Sequence, residues 1–442
     1  MFTMKRLFLL HWLSLTILNA WAQSPTSLHS KLMQQTAKVQ PQVIEWRRHF
    51  HQNPELSNLE FKTGERIAGE LKAMGLEVTY PVAKTGVVAI LRGGKPGPVI
   101  ALRADMDALP VTERNDLPFI SKVRTTYNGI ETGVMHACGH DGHVAILLGV
   151  AKVLSENKAD LKGIVKFLFQ PAEEGPPAGE EGGASLMIKE GALQHPDAEV
   201  IFGLHLQSLL PLGTIAYRPE GLMAAEDDLN IRVKGKGAHG ATPWDGIDPI
   251  VVSAQIIAGL QTIVSRQLDL TRGGVAITIG SLHGGVRRNI IPEEVYMEGT
   301  IRTLDPAMQK IAHERIKRTV IDIAESAGAT ADVDIKIQFP ITYNDPQLTA
   351  AMIPSLEQVA PGKVNVIPAV LGAEDFSFFQ EKIPGLFIFV GAYPEELKPV
   401  RQPVHHTADF MIDERALEIG MKSLLTLTTD YMYRTKRVFS NK

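Results

Sequence analysis

The chain has 442 residues, enough for two or three domains and a large buried core. Hydrophobic residues make up 44% and charged residues 21%, as in ordinary globular proteins. A net charge of -4 shows no basic excess, which argues against nucleic acid or an anionic membrane surface as a partner.

The first elements read as an address. Lys5 and Arg6 precede an apolar run over 7–18, and Ala20-Trp21-Ala22 follows with the small residues of a cleavage site. Residues 1–22 are therefore expected to be a signal peptide, giving an exported protein, periplasmic or secreted. The run is short for a membrane span, and no later segment has an uninterrupted apolar run long enough for one. Export also bears on the single cysteine, Cys138, which cannot form an internal disulfide.

Next come an amphipathic helix over 27–52, a helix over 60–74 and two short strands over 87–91 and 99–104. Asp105 and Asp107 follow the second strand, where open α/β sheets carry their sites; the bland reading of either is a loop cap. Residues 136–143 read His-Ala-Cys-Gly-His-Asp-Gly-His, followed by an apolar helix over 144–154. A buried-type strand over 164–170 runs into Pro-Ala-Glu173-Glu174-Gly, and another over 198–205 ends on His205. Strands that end repeatedly in ligand-type residues are hard to explain as packing.

Near residue 226 the pattern changes. A strand over 228–233, a helix over 248–267, strands over 275–281 and 294–303, a helix over 306–327 and a strand near 332–339 form a β-α-β-β-α-β series, the ferredoxin-like split unit. The expected architecture is α/β. A catalytic domain over 27–224 and 341–442 is interrupted by an inserted α+β domain over 225–340.

The chemistry points to metal. Cys138 and His140 lie two apart on a glycine-bearing loop, and Glu174, His205 and a histidine of the pair His405-His406 would complete a set drawn from distant loops. Mixed thiolate, imidazole and carboxylate donors suit a catalytic centre with positions open to water and substrate, here of two ions. Glu174 reads as a ligand and Glu173 as the general base; against this stands the reading of an acidic pair as a solvated loop. His136 and His143 fall to structural roles. His239 alone reads as a surface histidine, but with Arg287, Arg288, Asn289 and Arg302 on the same module it suggests carboxylate and oxyanion recognition.

Taken together, RADMDALP, MHACGHDGH, FQPAEEG, IFGLHL, KGAHGATPWDGIDP, RRNIIPEEV, GTIRTLDP, GAEDFSFF and HHTADF resemble the M20 metallopeptidase family. The branch is that of hippurate hydrolases, N-acyl-amino-acid amidohydrolases and auxin-conjugate hydrolases. The resemblance implies a zinc-peptidase-like catalytic domain and an inserted domain that dimerises the protein and acts as a lid. It implies two metal ions bound by Cys138, His140, Glu174, His205 and His406, with Glu173 as base and Asp107 supporting the ligands. It further implies that His239 and Asn289 reach substrate, His239 from the partner subunit. The family's His-X-Pro segment is here His405-His406-Thr407-Ala408, so His405 stays open as the ligand. PPAGEEGG, over 176–183, looks like a variation at the pocket rim. The expected activity is hydrolysis of N-acyl amino acids, with a carboxypeptidase or dipeptidase, or a non-catalytic metal-binding protein, as alternatives. The donor set suits zinc, manganese, cobalt or nickel.

Overall fold

The computed structural model describes residues 26–269, 271–394, 396, 403–434 and 438–439. The expected signal peptide lies outside them. An eight-stranded sheet runs in the order Glu77–Val82, Gly86–Arg92, Lys162–Gln170, Lys95–Asp105, Val200–Pro211, Gly385–Tyr393, Ile215–Tyr217, Val364–Val366. Its four middle strands, Lys162–Gln170, Lys95–Asp105, Val200–Pro211 and Gly385–Tyr393, are mutually parallel. Helices Thr26–Gln52, His140–Glu156 and Arg415–Tyr433 cover one face through Trp46, Phe50, Leu147 and Leu424. Met187, Phe376, Phe379 and Phe387 pack against the other. Burial on both faces explains why these strands are almost wholly apolar.

Residues 225–339 build a separate sheet in the order Val275–Gly284, Glu294–Thr303, Ala225–Lys234, Thr330–Phe339, antiparallel throughout. Helices Pro249–Arg266 and Pro306–Ser326 pack on one of its faces through Val252, Ile256, Ile316 and Val320. The connectivity is the ferredoxin-like one read from the sequence, set within an α/β frame. Only one face of this sheet is covered, so burial alternates along Ala225–Lys234, with Asp227, Leu229, Ile231 and Val233 turned inward.

Helix starts follow a local rule. Asp248, Asp305 and Asp345 each accept backbone N–H bonds at an N-cap, with Pro249, Pro306 and Pro346 next in line. The carboxylate meets orphan donors, and proline loses nothing at the first helical position. Pro249–Arg266 is long and apolar enough, by length and composition, to cross a bilayer. Its apolar residues Val252, Ile256, Leu260 and Ile263 are instead part of the inserted unit's core.

The structure departs from the sequence reading in several places. Strand Glu77–Val82 has a polar alternating pattern and was not expected. Strand Val200–Pro211 runs on past His205. The third helix starts at His140, four residues before the apolar run, because Gly139 precedes it at φ +105°. That left-handed conformation is readily open only to glycine.

Candidate metal centre

The site forms where the middle strands reach their carboxyl ends. Arg103 pairs with Gly203, so two residues further along stand Asp105 and His205. Glu173 and Glu174 follow the end of Lys162–Gln170, and Cys138 and His140 flank Gly139. Cys138 Sγ is 3.3 Å from His205 Nε2 and 3.3 Å from His406 Nε2. His406 Nε2 is 3.2 Å from Glu174 Oε1. His140 Nε2 lies 3.8 Å from Glu173 Oε2 and 3.9 Å from Glu174 Oε1. Among the described residues five groups have the spacing to hold an ion, and two of them draw on the thiol: Cys138 with His140 and His205, and Cys138 with Glu174 and His406. Cys138 belongs to both.

The backs of these ligand-type residues are held. His140 Nδ1 is 2.9 Å from the Asp107 carbonyl and His205 Nδ1 is 2.9 Å from the Leu206 carbonyl. Each carbonyl can only accept, so Nδ1 carries a proton and Nε2 is the nitrogen left to face the site. Asp107 also accepts from Ser57 Oγ at 2.7 Å and the Glu174 amide at 3.0 Å. His143 Nδ1 donates to Asp105 at 2.6 Å, and its Nε2 accepts the Leu206 amide. His405 Nε2 accepts the Ser208 amide at 3.2 Å, which leaves the proton on Nδ1, 3.8 Å from Cys138 Sγ. His406 sits at φ +60°, and Ala172 before the glutamates at φ +51°. Strain of this kind gathers at functional sites.

The electrostatics are those of crowded anions. Burial, then Glu374 and Glu174, pushes the Glu173 carboxyl well above its usual range. Burial, Glu174 and Glu173 likewise raise the Cys138 thiol. Burial and the neighbouring His143 and His405 hold His205 well below normal. Burial opposes charge on His140 as well, but Asp105 and Asp107 outweigh it and lift it to about 10. Buried His140 Nε2 has no hydrogen-bond partner, and Glu174 Oε1 has only its ion-pair contacts with His406 and His140. Donors of this kind aimed into a space rich in carboxylates fit divalent cations.

Sequence reasoning missed the support beneath Glu173. Arg103 is fully buried and bonds Asp105 at 2.6 Å, Gln170 at 2.7 Å, and Glu374 and Asp375 at 2.8 Å each. Glu173, Glu374 and Asp375 also form a close acidic group, but the guanidinium already answers two of these charges. An arginine inside an apolar parallel strand was the available signal. Further off, His51 lies between Asp141 at 2.9 Å and Glu113 at 3.0 Å, all three buried. His136 is buried with both ring nitrogens unpartnered, and burial lowers it to about 4.

A cavity of about 450 Å³ opens over the centre, lined by Cys138, Glu173, Glu174, His205, His405 and His406. This is within the size range of small-molecule sites. Arg302 lines it too. His239 and Asn289 do not; His239 is exposed on a two-residue ribbon paired with Ile290, and the Gly240 amide bonds the Asn289 carbonyl. Arg287 and Arg288 border a separate surface hollow. Segment 176–183 is also absent from the lining; Glu180 in it bonds Asn58 and Lys84.

The comparisons agree with this geometry. Residues 101–430 match the model of peptidase family M20/M25/M40. The chain is 42% identical to thermostable carboxypeptidase 2 of Saccharolobus solfataricus over 89% of its own length and 96% of that protein. It is 39% identical to N-acetylcysteine deacetylase of Bacillus subtilis over 86% and 93%. A solved Bacillus subtilis structure, YXEP, described as a dinuclear metal binding peptidase from the M20 family, superposes with a TM-score of 0.75 at 34% identity, covering 90% of this chain and 99% of that one. The chain belongs to peptidase family M20/M25/M40 and is a metal-dependent amidohydrolase of that family.

Proposed function

We propose that the protein hydrolyses the amide bond of N-acyl amino acids, releasing a carboxylate and a free amino acid. Two divalent ions would be held by Cys138, His140, Glu174, His205 and His406, with Asp107 fixing His140 from behind. His406 is preferred to His405 because the lone pair of His405 Nε2 is already engaged by the Ser208 amide. Bound ions would supply Lewis acidity and charge neutralisation.

The observation that carries the reading is Glu173, a buried carboxylate on the cavity wall beside the ligand group. Standing beside the ligand group, it is within reach to take a proton from the attacking water and return it to the leaving amine nitrogen. Arg103 anchors the neighbouring Glu374 and so fixes the wall against which Glu173 stands. Arg302 is placed to receive the substrate carboxylate. The test is Glu173→Gln assayed on acetyl- and benzoyl-amino acids; full retention of turnover would remove the mechanism.

A second reading, a carboxypeptidase or dipeptidase, is favoured by the 42% identity to a protein named carboxypeptidase. A panel setting N-acyl amino acids against dipeptides separates the two. We also propose export, on the composition of 1–22, and a homodimer in which His239 and Asn289 serve the partner's cavity. Val286 is 95% exposed and Ile290 48% exposed at that end of the inserted unit, which supports a contact there. Sedimentation at micromolar concentration tests it, and a monomer would remove the trans role of His239.

A further inference from the structure

Glu226, Arg302 and Phe339 stand in one cross-strand row of the inserted sheet. Glu226 on Ala225–Lys234 pairs with Arg302 on one side and with Phe339 on the other. All three line the cavity over the metal centre. Arg302 Nη2 lies 2.7 Å from Glu226 Oε1, and both side chains keep about a quarter of their surface exposed. Among the described residues lining the cavity, Arg302 is the only arginine or lysine, whereas Glu173, Glu174 and Glu374 lie on the opposite, metal-bearing wall.

A guanidinium offers five N–H donors in a planar fork, so one bond to Glu226 leaves donors for a substrate carboxylate. An amino acid with its carboxylate on Arg302 could lay its side chain along this same row, where the Glu226 carboxylate and the apolar Phe339 and Met223 line the cavity. An aliphatic stem ending in a cation meets both an apolar surface and an opposite charge there. A side chain ending in a second carboxylate meets Glu226 with no further arginine or lysine on the wall to answer it.

We propose that Glu226 is a specificity-determining residue that favours substrates with a basic side chain on the amino-acid half over those with an acidic one. The inference rests on Arg302 as the receptor of the substrate carboxylate. A single charge at a partly exposed site is worth a factor of about ten between oppositely charged substrates.

The experiment compares the wild-type enzyme with E226Q on the lysine, norleucine and glutamate members of two series, N-acetyl amino acids and alanyl dipeptides. Values of kcat/KM are normalised to the norleucine member of each series, so that loss of folded enzyme cancels. The wild type is expected to prefer lysine to glutamate, and E226Q to shrink that ratio about tenfold, with E226D restoring part of it. A lysine-to-glutamate ratio that E226Q leaves unchanged overturns the inference. So does a loss uniform across the three side chains, which would mean that Glu226 only orients Arg302. Turnover of the dipeptides alone, with the ratio still shifting, would retire the N-acyl reading and leave the selection by Glu226 standing.

Discussion

The two sheets of this molecule handle polar residues in opposite ways. The eight-stranded sheet is covered on both faces, so the charges at the carboxyl ends of its middle strands, such as Arg103, Asp105 and Glu173, are buried. The inserted sheet is covered on one face only, and its open face carries Glu226 and Arg302, each about a quarter exposed. Burial makes the first region a place for binding cations and moving protons, because charges interact strongly where water is excluded. Partial exposure suits the second to sorting substrates, where modest energies decide preferences.

That contrast yields predictions of decreasing size. Glu173→Gln should lower kcat about a thousandfold while metal content, measured by elemental analysis, stays at the wild-type level; retained turnover would erase the catalytic distinction between the regions. Arg103→Met removes a buried cation from between Asp105, Glu374 and Asp375 and should cost about 3–4 kcal/mol in chemical denaturation. The matched change in the open sheet, Arg232→Met, breaks only an exposed pair with Glu294 and should cost under about 0.5 kcal/mol. Equal losses would contradict the comparison.

A third prediction concerns pH. Burial pushes Glu113 up, but His51, the Ser121 amide and Asn115 together outweigh it and the carboxyl lies below its ordinary value. Burial and Arg47 pull His51 down, and its bonds to Asp141 and Glu113 more than compensate, leaving it raised. A depressed carboxyl stabilises above its unfolded pKa of about 4.3, and that contribution is lost as pH falls through the folded value. A raised imidazole stabilises below about 6.5 and loses that contribution as pH rises through its folded value. The stability gap between wild type and Glu113→Gln should therefore be widest between about pH 4.3 and 6.5, near 2 kcal/mol. Denaturation at pH 3 and 5.5 checks it; a wider gap at pH 3 would reverse the sign. Smallest of all, Val286→Asp should change stability by no more than about 0.5 kcal/mol and weaken self-association in sedimentation.

Much of this was legible in the sequence, for reasons that differ by region. The ferredoxin-like unit showed itself because a one-sided sheet imposes alternation, as along Ala225–Lys234. The candidate metal centre showed itself because Glu173 and Glu174 follow a strand end and Cys138 and His140 flank a helix start, whereas His205 lies inside a strand that runs on past it. The Arg103 network did not, since Arg103 and Glu374 are 271 residues apart and only folding joins them. Nor did the choice between His405 and His406, adjacent in sequence, which depends on the Ser208 amide engaging one ring. Glu226 was silent for a similar reason. Its neighbours Arg302 and Phe339 come from two other strands of the inserted sheet.

The most direct test is metal analysis of the purified protein joined to an N-acyl amino acid assay before and after chelation. The account predicts two divalent ions per chain, loss of hydrolysis on their removal and recovery on their return. Hydrolysis that survives complete removal of metal would contradict it.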